Sequence, residues 1–418
     1  MSKYLKPSKK EGQFLKNRTN EKHKNETETM SNNESNKNIP IRTEEKVAEI
    51  GWFTDIIGGD TEYLGVLDEN RRSTFEHCKN LTLQAEKVGF KNILFPTAYT
   101  VGQEAITFAS AIAPFTSKIK LLVAIRTGEI HPPTLARALS NLDHMLGGRF
   151  AINIINSDLP GNREDPNLRY KRCAETIEIL KQAWSNERIN FQGELYKLSL
   201  PSDPAKPYQQ NGGPLLYFGG TSDGSRDICA KYCDVFLTWP EKEAALAETI
   251  REMSDRAAAY GRKIDFGLRI HVVVRETEEE ARAYAKKLTS KLNEDKAKDI
   301  RNRGEDSRSL GVFRQDQLRL EADEDGYVED ILWTDIGKVF SGCGAGLVGS
   351  PQQVIEKLNR YINLGFRAFI FSGFPLEQEA AYFSKLVLPH LPNTSLSDLQ
   401  KRVPDATPIT PYTTAKLR

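Results

Sequence analysis

The chain has 418 residues, 39% of them hydrophobic, and its 58 basic and 57 acidic side chains leave a formal charge of +1. That is enough apolar mass for one large core or two ordinary ones, and the charge balance leaves no long basic face of the kind that holds nucleic acid. No apolar run is long enough to cross a membrane. Five scattered cysteines, Cys78, Cys173, Cys229, Cys233 and Cys343, suit a reducing compartment better than a disulfide framework.

Residues 1–46 are rich in Lys, Asn, Glu, Ser and Thr and nearly devoid of large apolar side chains, so they read as a disordered polar extension. Glu11, Glu21, Glu26, Glu28 and Glu34 argue against a transit peptide, no secretory core is visible, and the cytoplasm is the expected compartment. From Val47 to Pro392, buried-strand runs alternate with amphipathic helical stretches. The strands are VAEIGWF, NILFP, IKLLVAI, RFAINII, PLLYFGG, DVFLTW, FGLRIHVVV and RAFIFSG. Their continuous apolar character is that of a parallel sheet covered by helices. Helix ends are legible between them: Gly147 and Gly148 close one helix, Ser350-Pro351 opens another that Gly365 ends, and Leu246, Ile250, Met253 and Ala257 stripe a third. Cys229 and Cys233 lie one helical turn apart, with no further ligand nearby in sequence; they read as core residues, and no metal site is expected.

Eight strands with intervening helices predict an α/β fold of the (β/α)8 TIM-barrel type, with an insertion between strands seven and eight at the mouth. Asp306–Asp330, charged and weakly periodic, reads as a mobile part of that insertion. Residues 393–418, with Pro404, Pro408 and Pro411, read as an extended tail that either braces a neighbouring subunit or is disordered. The seventh strand carries Arg269 and His271 two residues apart, hence on one face. On an isolated strand the arginine would pair with a carboxylate and the histidine would be a hydrogen-bonded core residue. In a closed barrel both point to one spot, placing a fixed cation beside a titratable imidazole.

The chain resembles the bacterial-luciferase-like flavin monooxygenases, most closely their alkanesulfonate-desulfonating branch. The resemblance rests on GWF…GGDTEYLG, LARALSNLDHMLGGRFAINII, LLYFGGTSD, DVFLTWPE, AAAYGRKIDFGLRIHVVVRET and GAGLVGSPQQVIEKLNRYINLGFRAFIFSGFP, in this order from about Gly51 to Pro392. It implies a TIM barrel that takes FMNH2 from a separate NAD(P)H-dependent flavin reductase and uses O2 to oxygenate a small organosulfur substrate. For alkanesulfonates the products would be an aldehyde and sulfite, and the enzyme would be a homo-oligomer, dimer or tetramer. The resemblance assigns Arg269 and His271 to catalysis. Gly219, Gly220, Thr221 and Ser222 match an FMN phosphate turn, Asn153 a flavin-ring contact, and Tyr170 a tyrosine near ring or phosphate.

Three positions bear on the substrate. Arg126 remains from the family pattern, whereas the lid arginine aligns with Phe340 and the tyrosine of an SGYP motif with Phe374. The family's cysteine falls at Val101 or Gly102 and its first-loop histidine near Ile57, while Arg314, Arg319 or Lys338 stand as replacements for the lid cation. Losing a guanidinium and a phenol removes charge-assisted hydrogen bonds worth about 1.5–3 kcal/mol each. The pattern therefore also admits the same chemistry on a less anionic compound such as a sulfone, a flavin-binding barrel without catalysis, or the family's F420-dependent branch.

Overall fold

A computed structural model of the protein describes residues 39–99, 102–293, 295, 309–340, 342–411 and 413. Eight parallel strands form its centre: β1 (Glu49–Phe53), β2 (Asn92–Phe95), β3 (Lys120–Arg126), β4 (Phe150–Ile155), β5 (Leu215–Gly219), β6 (Val235–Thr238), β7 (Asp265–Val274) and β8 (Phe366–Ser372). Each pairs with the next, and β8 pairs with both β7 and β1, so the sheet closes as a (β/α)8 barrel. All eight sequence-predicted strands are present. Alternation sorts their residues into two cores. Leu121, Val123, Ile152, Ile154, Phe266, Leu268 and Ile270 pack outward among the helices. Leu94, Leu122, Ala151, Tyr217, Leu237, Ala368 and Ile370 fill the barrel.

The inward column of β7 is Asp265, Gly267, Arg269 and His271, beneath an unbroken buried pattern. The continuous apolar run read from sequence is thus an aliphatic outer face with polar residues threaded through it. The predicted helix ends are also in place: Ser350 caps Pro351–Leu364 through a capping box with Gln353, and Gly365 ends that helix at φ 129°. That left-handed conformation favours glycine.

The N-terminal end of the barrel is plugged by a polar layer. Glu49 binds Lys120 Nζ at 2.8 Å, Asn92 Nδ2 at 2.6 Å and the Tyr217 hydroxyl at 3.0 Å, and accepts from the Leu396 backbone N–H at 2.9 Å. Burial alone would push the Glu49 carboxyl up, but Lys120 and these donors hold it below its usual range. Leu396 begins a helical turn, Leu396–Leu399, within the segment expected to be an extended tail, and its side chain joins the barrel core of the same chain. Residues 39–46, expected to be disordered, are tied down as well: Ile41 bridges to Ile264, and Thr43 donates twice to Asp265. Residues 1–38 lie outside the described residues.

Strand β7 is ten residues long, and β6 pairs only with its first four, Asp265–Leu268. The insertion completes its upper half: strand Gly346–Gly349 runs parallel to it with Gly346 opposite His271, so buried backbone groups there find partners. Tyr327, Trp333, Ile336, Val339, Val348 and Phe374 form a satellite core beneath the insertion. The stretch expected to be mobile contains a helix, Leu310–Leu320, capped by Ser309. Gln315 anchors this helix by donating to the Pro240 carbonyl at 2.7 Å and accepting from Gly344 N–H at 3.0 Å. Its apolar contacts are tertiary rather than periodic along the sequence, which is why pattern alone missed it.

Candidate active site

Arg269 and His271 lie on the inner face of β7 toward the C-terminal mouth, both buried. The guanidinium donates through Nη2 to the Ser372 hydroxyl at 2.8 Å and through Nη1 to the Ile270 and Ile370 carbonyls at 3.2 and 3.4 Å. Its central carbon lies over the Phe53 ring, 4.6 Å from the centroid. No carboxylate pairs with it among the described residues, so the ion pair considered for an isolated strand is not formed. A buried cation without an acid partner is a ready anion site.

His271 Nδ1 lies 2.7 Å from the Ser372 hydroxyl, and Nε2 lies 3.1 Å from the Cys343 carbonyl. Burial first, and the Arg269 charge second, push its pKa well below the ordinary imidazole value, leaving the ring neutral. Phe374 stacks on it with ring centroids 5.4 Å apart, and Phe340 stacks on Phe374 at 5.2 Å and 10°. Phe340 and Phe374, the two positions read from sequence as bearing on the substrate, therefore stand together beside the imidazole. Ser372, Phe53 and Cys343 were not singled out from sequence. The alternation of Ala368, Ile370 and Ser372 along β8 was the available signal for the first.

Arg126 and Asn153 occupy the inner faces of β3 and β4, four strands around the barrel from β7 and β8 respectively and so across the mouth from them. Arg126 is tied locally: Nη1 donates to the Asp158 carbonyl at 3.1 Å, and Glu129 lies 3.5 Å from Nε. Asn153 is buried between β3 and β5, opposite Ala124 and Tyr217 in register. The replacement cations are engaged elsewhere: Arg314 with Glu241 at 2.9 Å, Arg319 with the Gly337 carbonyl at 2.7 Å, and Lys338 with Asp335 at 2.8 Å. Val101 lies outside the described residues. Gly102 packs so closely on Ile56 that a Cβ would fall 2.0 Å from its carbonyl oxygen.

The turn Gly219–Ser222 leads from β5 into helix Asp223–Tyr232, with Ser222 as N-cap. Tyr170, from helix Pro166–Ser185, donates its hydroxyl to Ser222 Oγ at 2.8 Å, so two separately predicted cofactor positions meet. A Cβ on Gly220 would lie 2.5 Å from Ser225 Cβ, which accounts for a glycine there. The backbone N–H groups of Gly220, Thr221 and Ser222 have no acceptor among the described residues. With the helix N-terminus behind them they suit a phosphate. Among the described residues there is no cluster of three or more metal-binding side chains, and no helix is long and apolar enough to cross a membrane.

Residues 49–368, most of the chain, match the family described as luciferase-like monooxygenase. A sulfoquinovose monooxygenase of Agrobacterium fabrum is 49% identical over 375 residues, covering 89% of this chain and 97% of that protein. Another from Novosphingobium aromaticivorans is 47% identical over 355 residues, covering 83% and 98%. Among solved structures, a riboflavin lyase with modified FMN and riboflavin superposes with a TM-score of 0.70 at 15% identity, covering 87% of this chain and 98% of that one. A long-chain alkane monooxygenase does so at 0.66 and 20%, covering 86% and 92%. At those identities the structural likeness speaks for the barrel alone. The match across the barrel, together with the near-half identity of full-length relatives, makes this chain a member of the luciferase-like monooxygenase family.

Proposed function

We propose that the protein is a two-component monooxygenase that uses FMNH2 from a separate flavin reductase, and O2, to desulfonate a small sulfonate, with a sulfosugar of the sulfoquinovose type as the preferred substrate. The observation that carries this reading is the buried Arg269 guanidinium, held at the mouth with no carboxylate beside it among the described residues. A tetrahedral oxyanion is what such a group binds well. Two relatives with that substrate in their names, near-half identical over nearly their full length, favour the sugar over a plain alkane chain. The paired Phe340 and Phe374 rings beside His271 offer an apolar aromatic surface against which the C–H face of a pyranose can rest.

In this reading the Gly219–Ser222 turn holds the FMN phosphate, with Tyr170 fixing Ser222, and Asn153 meets the flavin ring across the barrel. Bound reduced flavin supplies two electrons and the activation of O2. One oxygen atom goes to the carbon bearing sulfur, the carbon–sulfur bond breaks to release sulfite, that carbon becomes an aldehyde, and the second oxygen leaves as water. The chain's own part is to orient the sulfonate on Arg269, keep water from the mouth beneath the insertion, and hold a proton at His271.

Reduced FMN mixed anaerobically with the protein and then given air, with sulfoquinovose and a series of alkanesulfonates in parallel, tests the proposal through sulfite release. Sulfite from sulfoquinovose in excess of that from every alkanesulfonate is expected. Sulfite from none of them, with flavin oxidised to no product, overturns it. Oxygenation of an uncharged sulfone instead would fit the same Phe340 and Phe374 rings and move the substrate to the less anionic class.

A further inference from the structure

Ser372 ends β8 on the inner face of the barrel, opposite His271 in register and fully buried. Its hydroxyl has two partners, Arg269 Nη2 at 2.8 Å and His271 Nδ1 at 2.7 Å. A guanidinium only donates, so Ser372 Oγ accepts from Arg269, and its single proton is left for Nδ1. The other ring nitrogen faces the Cys343 carbonyl at 3.1 Å, and a carbonyl only accepts, so Nε2 carries the ring proton. Protonating Nδ1 as well would strand the serine proton without an acceptor in a buried site. It would also set a second cation against Arg269, where the facing groups are Ser372, the Cys343 thiol and carbonyl and the Phe340 and Phe374 rings, with no carboxylate among the described residues.

We propose that Ser372 is a positioning residue, whose hydroxyl, oriented by Arg269, holds His271 as the neutral Nε2–H tautomer with Nδ1 as acceptor. Arg269 thereby does two things at once: it offers charge to an anion, and through Ser372 it keeps Nδ1 an acceptor, while the Cys343 carbonyl holds the proton at Nε2. The ring meets the mouth as a donor at Nε2, its proton lent to the Cys343 carbonyl. To take up a second proton at Nδ1, the Ser372 hydroxyl must first turn away. The tautomer assignment stands apart from the substrate; only its consequence for turnover rests on the proposed function.

The test is the 15N spectrum of histidine-labelled protein, with the His271 signals assigned by their loss in His271→Asn. One protonated nitrogen at Nε2 and one unprotonated at Nδ1 are expected in the unsubstituted protein. In Ser372→Ala the hydrogen bond made only to the neutral ring is gone, so the Nδ1 signal should move to that of an unbonded acceptor and the titration midpoint should rise by about one pH unit, while the Cys343 carbonyl keeps the ring proton at Nε2. Ser372→Thr, which keeps the hydroxyl, should restore the original pattern. A proton found on Nδ1 in the unsubstituted protein overturns the proposal, as does a Ser372→Ala protein of unchanged melting temperature with unchanged ring signals and midpoint. Should Ser372→Ala fail to fold, the Nδ1 shift of the unsubstituted protein still decides: that of a hydrogen-bonded acceptor is expected, and that of an unbonded one overturns the proposal.

Discussion

Holding an arginine and a histidine together in a buried site disfavours the charged imidazole, and the penalty has a measurable pH signature. The folded-state pKa of His271 lies well below 6.5, pushed there by burial and then by Arg269. Above that unfolded value neither state binds a proton at this ring. As pH falls below it the unfolded chain binds one and the folded chain does not, so stability is lost on the acid side. Asp143 works in the opposite direction: burial raises its carboxyl to about 7, so the folded state gains a proton as pH falls through that value. Comparison with His271→Asn cancels the Asp143 contribution. The melting temperature of the unsubstituted protein should therefore drop further than that of the variant between about pH 7 and pH 5. The same variant should keep its flavin affinity and lose about 100- to 10,000-fold in turnover if the ring manages a proton. Normal turnover with a changed melting profile would make His271 a packing residue. The sequence displayed the pair because strand alternation makes positions two apart share a face. It did not display Ser372 as their link, because a serine at a strand end carries no signal of its own until register is known.

Elements rather than single residues decide how the insertion is held to the barrel. The insertion hairpin, Tyr327–Glu329 with Leu332–Trp333, is clamped to the barrel by Lys357, whose ammonium lies 2.6 Å from Glu243 and 2.8 Å from Glu329. Arg360 joins through Glu243 at 2.8 Å and Asp330 at 2.9 Å. Lys357 is 1% exposed, so Lys357→Met would remove the cation and leave two carboxylates sharing its place. Removing one partner of a fully buried pair costs about 3–5 kcal/mol. Glu243 and Glu329 keep 28% and 23% side-chain exposure, which water can use to lower that figure. A fall in melting temperature with faster proteolysis in the insertion is expected; an unchanged melt and digestion pattern would show that the satellite core holds the hairpin unaided. Helix ends such as Ser350, and stripes such as Leu246–Ala257, were legible because their signals are local. The Leu310–Leu320 helix was not, because its buried face, Gly311, Val312, Gln315 and Leu318, is small and half polar, while Leu310, Phe313 and Leu320 are exposed.

At the scale of the molecule, the two ends of the described chain meet under the barrel, far along the strands from the proposed chemistry. Asp234, at the start of β6, receives Arg402 at 2.8 Å from the C-terminal segment and Arg42 at 2.7 Å from the N-terminal one. Asp265 likewise receives Thr43 from one end and Gln400 from the other. Burial would raise the Asp234 carboxyl, but Arg402, Arg42 and Lys181 hold it below its usual range. The polar and proline-rich composition of these ends masked their role, since a few anchors, Ile41, Leu396 and Arg402, carry the docking. Arg402→Met should leave the buried Asp234 with Arg42 as its nearest cation, and Arg42 is 30% exposed and screened by water. The cost should approach, without reaching, the 3–5 kcal/mol or so of a fully unpaired buried charge. A chain ending at residue 394 should lose more, because it also uncovers Leu396's place in the barrel core and removes a backbone donor from Glu49. Both should melt lower than the intact chain, the truncation lowest, while sulfite release per folded molecule stays within about twofold, because none of these groups touches the mouth. If the truncated chain melts like the intact one, the terminal plug is ornamental; if Arg402→Met loses turnover while keeping its melting temperature, the barrel floor and its mouth are coupled through the strands.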